Sequence, residues 1–496
     1  MKRIIKAFAL VTVLSCFTRF LSFVFKIYLS RLLGAEILGV YQITFSLFSL
    51  FACLSMSGIP VTLSRLTAEE YALGNDKTVG GLFSSAMLIS LSICTIIIAV
   101  LAIFPAIPKA LFSDERCVKL FYVMLPMLVT SSIYSIVRGW FWGKKEFFTF
   151  SVTELIEEII KIAFTLSLLM TGIFGITKFY SYAIAMIISD IVMVVILFAC
   201  FIYKGGSAKR PLYAKKIVKS ATPLTITRLF GSLMSAFLSL VIPAMLVKYG
   251  LDTQSATSQF GRAGGMVMPI LLAPTSVVGA MTVVLIPELA EQNKKNSPKG
   301  LKTKISTAVE FSFIISCAFY IIFMACGQNF VSLIYHDAEA GSYMPKVALL
   351  MIPLCVNNMA ISILNSLGKE KQTFLSHLVC CAVLAITTLV APKYLGIYSY
   401  FLALALFHTV GTVINLTMIA RIVEPERRCA LHCLACLTFA CVAGLGMSAL
   451  NNLIQHVLTP AICTVISGAL SFGIFVAFLL GFKIVDIGGF LPKKSR

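Results

Sequence analysis

Fourteen stretches of mainly apolar residues run along this chain, each about 20 residues or longer. Because an α-helix rises about 1.5 Å per residue, about 20 residues cross the roughly 30 Å hydrocarbon core of a bilayer. Backbone groups in lipid must satisfy their own hydrogen bonds, and runs of this length favour helices over barrel strands. The predicted spans are residues 7–30, 38–63, 80–104, 118–142, 149–171, 179–203, 217–247, 263–287, 305–327, 346–366, 372–391, 396–420, 431–450 and 458–482.

Composition excludes a soluble protein. The 496 residues are 59% hydrophobic and 12% charged, whereas soluble domains are about 25% charged. The sequence therefore predicts an all-α membrane protein with about 14 transmembrane helices. No connecting segment is long enough for an independent domain. Neither the GxxxxGK[ST] phosphate loop nor the HExxH zinc motif is present, so an ATP motor and a metalloprotease are not expected.

The net charge of +20 comes from 41 Lys and Arg residues against 21 Asp and Glu residues. Most basic residues lie in alternate short loops, the pattern of cytoplasmic loops in membrane proteins. This pattern predicts a multi-pass protein of the cytoplasmic (inner) membrane with both termini cytoplasmic. It also explains the charge without a nucleic-acid partner.

An internal repeat divides the chain. Leu125-Pro126-x-x-Val129 recurs as Ile352-Pro353-x-x-Val356, and Ile59-Pro60 recurs as Ile286-Pro287, each 227 positions later. A repeat of six helices keeps its orientation in the membrane. We therefore expect a six-helix lobe over 1–210 and a second over 217–425, related by a pseudo-two-fold axis, with two additional helices in 431–482.

Charged residues inside the predicted spans are the candidates for function, because each costs about 2.5–3.5 kcal/mol near the bilayer centre. Two interpretations stay open: internal ion pairs between helices, or a hydrated, partly cationic cavity for an anionic headgroup. Glu154, Glu157 and Glu158 stand with Lys161 on one helical face. The candidates for substrate binding are Arg19, Lys26, Arg31, Arg138, Arg228 and Arg262, and those for ion coupling or charge pairing are Glu154, Glu157, Glu158 and Asp190.

No cofactor, metal site or catalytic residue is expected. Cys429, Cys433 and Cys436 have the C-x3-C-x2-C spacing of some iron–sulfur sites, but their segment opens a membrane helix. The cysteines instead fit the pattern of small buried apolar residues. Asn357, Asn358 and Asn365 are candidates either for cavity lining or for hydrogen bonding between helices, and their clustering in one span favours lining.

Several strings resemble one family. They are Arg31-Leu-Leu-Gly-Ala-Glu-Ile-Leu-Gly-Val-Tyr-Gln42, Ser57-Gly-Ile-Pro60, Ser258-Gln-Phe-Gly-Arg-Ala-Gly-Gly265, Arg138-Gly-Trp-Phe-Trp-Gly-Lys144 and Glu157-Glu-Ile-Ile-Lys161. As an ordered set they resemble the stage V sporulation protein B group. That group belongs to the polysaccharide flippase branch of the MATE-like (MOP) exporters and is related to MurJ-type lipid II flippases.

The resemblance implies two six-helix lobes, a V-shaped cationic cavity and alternating access. It implies a polyprenyl-pyrophosphate-linked saccharide as cargo, with Arg19, Lys26 and Arg31 placed to meet the pyrophosphate and the last two helices holding the lipid tail. The expected partners are this lipid-linked oligosaccharide and membrane lipids, and the protein is expected to act as a monomer. One departure from the MurJ pattern is a second span with no basic residue before Arg65.

Energy for transport is expected from a coupled H⁺ or Na⁺ or from the membrane potential, which is worth about 2.3 kcal/mol per charge per 100 mV. The alternative function is a cation-coupled multidrug exporter of the MATE type, which would need an acidic cavity lined by aromatic rings. A membrane enzyme would need a large outer loop or a clustered acid/base motif, and the sequence contains neither.

Overall fold

The computed structural model describes residues 2–171, 178–294, 298–424, 426–482 and 484, and these residues form helices without any strand. The α-helices are α1 (Lys2–Met56), α2 (Ile59–Ala72), α3 (Asp76–Ile103), α4 (Ala106–Leu111), α5 (Glu115–Met124), α6 (Pro126–Gly143), α7 (Phe147–Thr171), α8 (Lys178–Tyr203), α9 (Ala214–Lys248), α10 (Thr253–Phe260), α11 (Met268–Leu272), α12 (Thr275–Lys294), α13 (Pro298–Tyr335), α14 (Ala338–Val347), α15 (Met351–Ser366), α16 (Glu370–Val390), α17 (Pro392–Leu395), α18 (Tyr398–Ile422), α19 (Arg427–Ile454) and α20 (Pro460–Gly481). A π-helix, Gly261–Val267, joins α10 to α11, and a 3-10 helix, Ala348–Leu350, joins α14 to α15.

These helices correspond to the predicted spans. Ten helices in the described part of the chain are long and apolar enough to cross a membrane, or up to 12 if each bent pair is one span. The bent pairs are α5 with α6, at 44°, and Thr253–Leu272 with Thr275–Thr282, at 45°. Two features account for the difference from fourteen. Val13–Ala72 is one 60-residue candidate that contains the first two predicted spans, and α7 carries four charged residues within its apolar run.

The first two spans are joined by a kink rather than by a loop. Gly34 has φ 78° and ψ 169° inside α1, where the two helical halves meet. This left-handed backbone conformation is unfavourable for residues with a Cβ atom and accessible to glycine. The chain therefore turns between two spans at this glycine, and α1 consists of two helical segments that meet there.

The chain forms two compact units, Met1–Gly261 and Arg262–Arg496. The first unit contains α1 to α10, and the second contains α11 to α20. The first unit thus includes α9, which the internal repeat assigns to the second lobe. The division into 1–210, 217–425 and 431–482 describes sequence repetition and stays a prediction.

Within the first unit, α6 packs closely against its neighbours. The Trp140 ring lies 4.7 Å from that of Phe201, which stacks on Phe83 at 4.3 Å. A Cβ added to Gly139 would lie 2.6 Å from the carbonyl oxygen of Pro60. The backbones of α6 and α2 are therefore in direct contact, with no side-chain layer at this crossing.

The segment between α8 and α9, residues 204–213, lies across the start of α3. The Lys209 backbone N–H donates to the Gly80 carbonyl at 3.2 Å, and the Tyr213 N–H donates to Ser85 Oγ at 3.0 Å. A Cβ at Gly80 would lie 2.9 Å from the Ser207 carbonyl oxygen. Glycine therefore permits this close approach, and the segment has a fixed position.

The second unit contains a buried polar contact between α15 and α18. Asn415 Nδ2 donates to Asn357 Oδ1 at 2.9 Å, and Asn357 Nδ2 lies 3.4 Å from His408 Nδ1. Asn357 is 2% exposed, so of its two interpretations the structure favours hydrogen bonding between helices. Such bonds hold membrane helices together where apolar contacts give little preference.

Candidate functional site

A polar cavity of about 570 Å³ opens in the first unit between α1, α6 and α7. The lining residues of α1 recur at helical spacing and so share one face. The cavity is lined by Val11, Ser15, Thr18, Arg19, Ser22, Tyr134, Arg138, Trp142, Phe147, Phe150, Ser151, Glu154, Glu157 and Glu158. It is called the polar cavity below.

The acidic stripe of α7 faces the polar cavity. Glu154, Glu157 and Glu158 all line it, as expected for residues that share a helical face. The Glu158 carboxylate is paired with Lys161 one turn along the same helix. Its second oxygen, Oε1, is buried and has no hydrogen-bond partner among the described residues.

Arg138 lies over two aromatic rings at the wall of the polar cavity. Its guanidinium carbon is 4.2 Å from the ring centroid of Trp142 and 5.0 Å from that of Phe150. Such cation–π contacts hold a guanidinium group without neutralising it. The Nε atom of Arg138 is buried without a hydrogen-bond partner in the described part of the chain. Arg138 therefore keeps donor capacity and positive charge for a ligand.

Arg19 is the cation of α1 in the polar cavity. Its side chain is exposed, and no ion pair links it to an acidic residue within the described ranges. The nearby hydroxyls bond to their own helix, with Thr18 Oγ1 donating to Leu14 O and Ser22 Oγ to Thr18 O, each at 3.0 Å. The guanidinium group of Arg19 thus remains available.

Two predicted cations of α1 lie outside the lining. Lys26 is half-buried two turns beyond Arg19, and Arg31 is exposed beside the kink at Gly34. Neither is among the residues that line the polar cavity. Of the three basic residues predicted on this helix, the structure places Arg19 at the cavity.

Arg228 and Asp190 have other contacts. The Arg228 guanidinium donates to the Ser57 carbonyl at 3.0 Å, at the end of α1. Asp190 Oδ2 accepts hydrogen bonds from Thr130 at 3.2 Å and from Ser131 at 3.0 Å. These contacts join α9 to α1 and α8 to α6, and neither residue lines the polar cavity.

Arg262 belongs to the second unit. Its Nε donates to Asp337 Oδ2 at 2.9 Å, and its Nη1 lies 2.7 Å from Glu339 Oε2. Two carboxylates therefore neutralise this guanidinium group, which the sequence analysis predicted to bind substrate. For Arg262, the internal ion pair is the interpretation that the structure favours.

The charge of the polar cavity is mixed rather than cationic. Its lining contains two arginines and three glutamates, and the Lys161 ammonium is paired with one of the glutamates. The aromatic part of the lining, Tyr134, Trp142, Phe147 and Phe150, was not predicted. The spacing of Arg138 and Trp142, four residues apart on one helix, was the available signal.

The cysteine motif shows no metal geometry. Among the residues that the structure describes, no group of three His, Cys, Asp or Glu side chains could hold a metal ion. Cys429 Sγ instead donates to the Ser306 carbonyl at 3.6 Å. This contact is typical of a buried thiol that packs between helices.

Solved structures of membrane transporters share the fold of this chain. The structure titled "Lipid II flippase MurJ, inward closed conformation" matches with a TM-score of 0.72 over 96% of this chain and 100% of that chain, at 15% identity. An inward-facing MATE-family multidrug resistance transporter of the MOP superfamily matches with a TM-score of 0.65 over 84% and 95%, at 14% identity. The chain thus has the two-lobe helical fold of the MOP-superfamily membrane transporters.

The family follows from the sequence comparison. The family described as "Polysaccharide biosynthesis protein" matches residues 4–293, more than half of the chain. The chain belongs to this family. It is 22% identical to stage V sporulation protein B of Bacillus subtilis (strain 168) over 488 residues, which cover 94% of this chain and 93% of that protein. The predicted resemblance is confirmed, and the chain is a multi-pass membrane protein of this family.

Proposed function

We propose that this protein flips a polyprenyl-pyrophosphate-linked saccharide, lipid II or a related cell-wall or polysaccharide precursor, across the cytoplasmic membrane by alternating access. It acts as a monomer, with both termini on the cytoplasmic side. Family membership and the shared fold of a lipid II flippase support a lipid-linked cargo. A pyrophosphate-linked sugar cannot cross about 30 Å of hydrocarbon unaided, so a polar path among the helices is required.

The observation that carries the proposal is the state of Arg19 and Arg138. Both guanidinium groups line the polar cavity beside three glutamates, yet neither has an acidic partner among the described residues. An unpaired cation within a membrane is costly, and an orphaned buried donor costs about 1–3 kcal/mol. Phosphate oxygens would satisfy both groups, since guanidinium binds phosphate through two parallel hydrogen bonds.

The remaining lining residues have distinct roles in this proposal. Hydroxyl and carboxylate groups hydrogen-bond the sugar, while the polyprenyl chain stays in the bilayer. Glu154 and Glu157 are not held by a lysine as Glu158 is. They share the cavity with the two arginines without an ion pair to them in the described part of the chain, and they are the candidates to take up H⁺ or Na⁺ as the headgroup leaves. The membrane potential adds about 2.3 kcal/mol per charge moved through 100 mV.

A second function has its own support. Three glutamates and four aromatic rings in one cavity are what a cation-coupled multidrug exporter would use. The position of Arg138 weakens this alternative. Its guanidinium group already covers the Trp142 and Phe150 rings, so a cationic drug would meet a like charge at these two faces.

Transbilayer movement in liposomes tests the proposal. Purified protein is reconstituted with labelled lipid II or a labelled polyprenyl-pyrophosphate glycan, and movement is compared with that in Arg19→Gln and Arg138→Gln. The matched control is Arg65→Gln, because Arg65 is exposed and pairs with Glu69 away from the polar cavity. We expect slower movement in the cavity variants and wild-type movement in the control.

Three results would count against the proposal. The first is no movement of either lipid by the wild-type protein. The second is unchanged movement in an Arg19→Gln/Arg138→Gln double variant. The third is uptake of a lipophilic cationic dye that requires Glu154 and Glu157 and is insensitive to lipid II, which would favour the exporter.

A further inference from the structure

A second cavity of the first unit lies apart from the polar cavity and shares no lining residue with it. It has a volume of about 970 Å³ and lies between α3 and α8, with Ile133 of α6 also in its wall. Its α3 lining runs from Phe83 to Ile96, roughly 20 Å at 1.5 Å per residue. This length is comparable to one leaflet of the hydrocarbon core, about 15 Å. We call this cavity the leaflet groove.

The leaflet groove is apolar along most of its length and polar at one end. Met87, Leu91 and Phe198 represent its apolar walls. At the end where α3 begins, Lys209 and Pro211 of the segment between α8 and α9 complete the lining. An apolar channel of one leaflet's depth that ends at a cation matches the shape and charge of a phospholipid with an anionic headgroup.

Lys209 has no other role in the described structure. Two other lysines at the ends of this segment are neutralised, since Lys204 lies 3.1 Å from Glu146 and Lys216 lies 3.5 Å from Glu70. Lys209 is exposed and pairs with no acidic residue among those described. Its backbone N–H is fixed on Gly80, so the base of its side chain has a fixed position at the end of the groove.

A hydroxyl group lies at the same end. Ser84 lines the leaflet groove one turn along α3 from Gly80. Its Oγ atom is buried and has no hydrogen-bond partner in the described ranges. Serine in a helix usually bonds to the carbonyl four residues earlier, and this one does not. This hydroxyl is therefore an unsatisfied donor in a residue that lines the groove, near the end that contains Lys209.

We propose that the leaflet groove binds an anionic phospholipid as a resident lipid, with its phosphate on Lys209 and one acyl chain along α3 and α8. The positive-inside pattern of the sequence assigns this end to the cytoplasmic leaflet, where basic residues attract anionic lipids. The lipid is not cargo. A polyprenyl chain is much longer than a groove of one leaflet's depth, and the groove contains one cation rather than the paired arginines of the polar cavity.

Lipid titration tests this proposal independently of transport. Purified protein in detergent is titrated with phosphatidylglycerol or phosphatidylcholine, and bound lipid is counted by native mass spectrometry. A basic residue near a lipid phosphate contributes about 1 kcal/mol, or about fivefold in affinity. We expect Lys209→Gln to weaken phosphatidylglycerol binding about fivefold and phosphatidylcholine binding less, because the choline cation cancels the net charge of that headgroup. Lys215→Gln, an exposed lysine outside the lining, is the matched control and should bind like wild type.

Position is tested with a photoactivatable phosphatidylglycerol that carries its reactive group in the acyl chain. We expect labelled peptides from α3 between Ser84 and Ile96, and less labelling in Thr95→Phe, which fills the groove. Equal phosphatidylglycerol affinity in Lys209→Gln and wild type, or labelling confined to other helices, would overturn the proposal. Displacement of the label by polyprenyl pyrophosphate, but not by excess phosphatidylglycerol, would assign the groove to the cargo tail and also overturn it. Both readouts are interpretable even if the protein flips no saccharide lipid.

Discussion

Arg138 gives the sharpest test of the polar cavity, because its surroundings separate a binding role from a structural one. In Arg138→Gln the cation–π contacts with Trp142 and Phe150 are lost, which destabilises the fold by about 0.5–2 kcal/mol. The Gln carboxamide takes the place of the buried Nε, which lacks a partner, so this unsatisfied polar site is retained. We therefore expect a decrease in unfolding free energy of about 0.5–2 kcal/mol, from the lost cation–π contacts alone.

The expected loss of headgroup affinity in Arg138→Gln is separate from this change in stability. A hydrogen bond between charged partners contributes about 1.5–3 kcal/mol, which corresponds to about tenfold to 150-fold in affinity. We therefore expect Arg138→Gln to weaken binding of a polyprenyl pyrophosphate by that factor. Arg138→Lys keeps the charge but loses the planar pair of donors, and its affinity should lie between those of the wild type and Arg138→Gln.

Two measurements on the same preparations distinguish a binding role of Arg138 from a structural role. Affinity for a short-chain polyprenyl pyrophosphate is measured by titration in detergent, and the melting temperature by thermal unfolding of the same samples. The reasoning is refuted if Arg138→Gln binds like wild type. It is also refuted if Arg138→Gln and Arg138→Lys lose affinity only in proportion to their loss of melting temperature.

Two further predictions concern the scaffold. Gly139→Ala places a methyl group against the Pro60 carbonyl and should destabilise the protein by about 1–3 kcal/mol; Gly231→Ala, where nothing lies within 4 Å, should not lower the melting temperature, and equal losses would contradict this packing. Burial, the largest single influence, would raise the pKa of Glu146, but the hydrogen bonds from Lys204 and Thr149 and the charges of Lys204 and Lys144 together outweigh it, and the pKa is lowered. Such a group stabilises the folded state above its unfolded pKa of about 4.3, and the effect is lost as the pH falls through the folded pKa. The melting temperature of Glu146→Gln should thus be below that of wild type at about pH 6, with a difference that shrinks as the pH falls below the unfolded pKa; a difference constant with pH would contradict it.

The helices were predictable because the bilayer imposes one length and one composition on every span. The stripe of Glu154, Glu157 and Glu158 was also predictable, since helical periodicity alone places these residues on one face. That face lines the polar cavity in the structure. In each case the physical constraint acts within one helix, where sequence separation is equivalent to geometry.

Contacts between helices could not be predicted in this way. Arg19 and Arg262 are equally basic in the sequence, but one lines the polar cavity and the other is neutralised by Asp337 and Glu339, about 75 residues away. The Asn357–Asn415 hydrogen bond likewise joins helices that the sequence separates by 58 positions. Which partner neutralises a charge depends on the packing of whole helices, and periodicity does not report it.

Because α1 is kinked at Gly34, a small rotation there displaces residues far along the helix. Arg19 lies fifteen residues from Gly34, or about 22 Å along the helix axis. A rotation of about 10° at this one glycine would carry the Arg19 end through roughly 4 Å, if the half-helix moves as a rod of that length. A movement of that size exceeds the reach of a hydrogen bond. The φ and ψ angles of Gly34, about 22 Å from Arg19, would therefore decide whether this guanidinium group lies within hydrogen-bond distance of an anionic ligand.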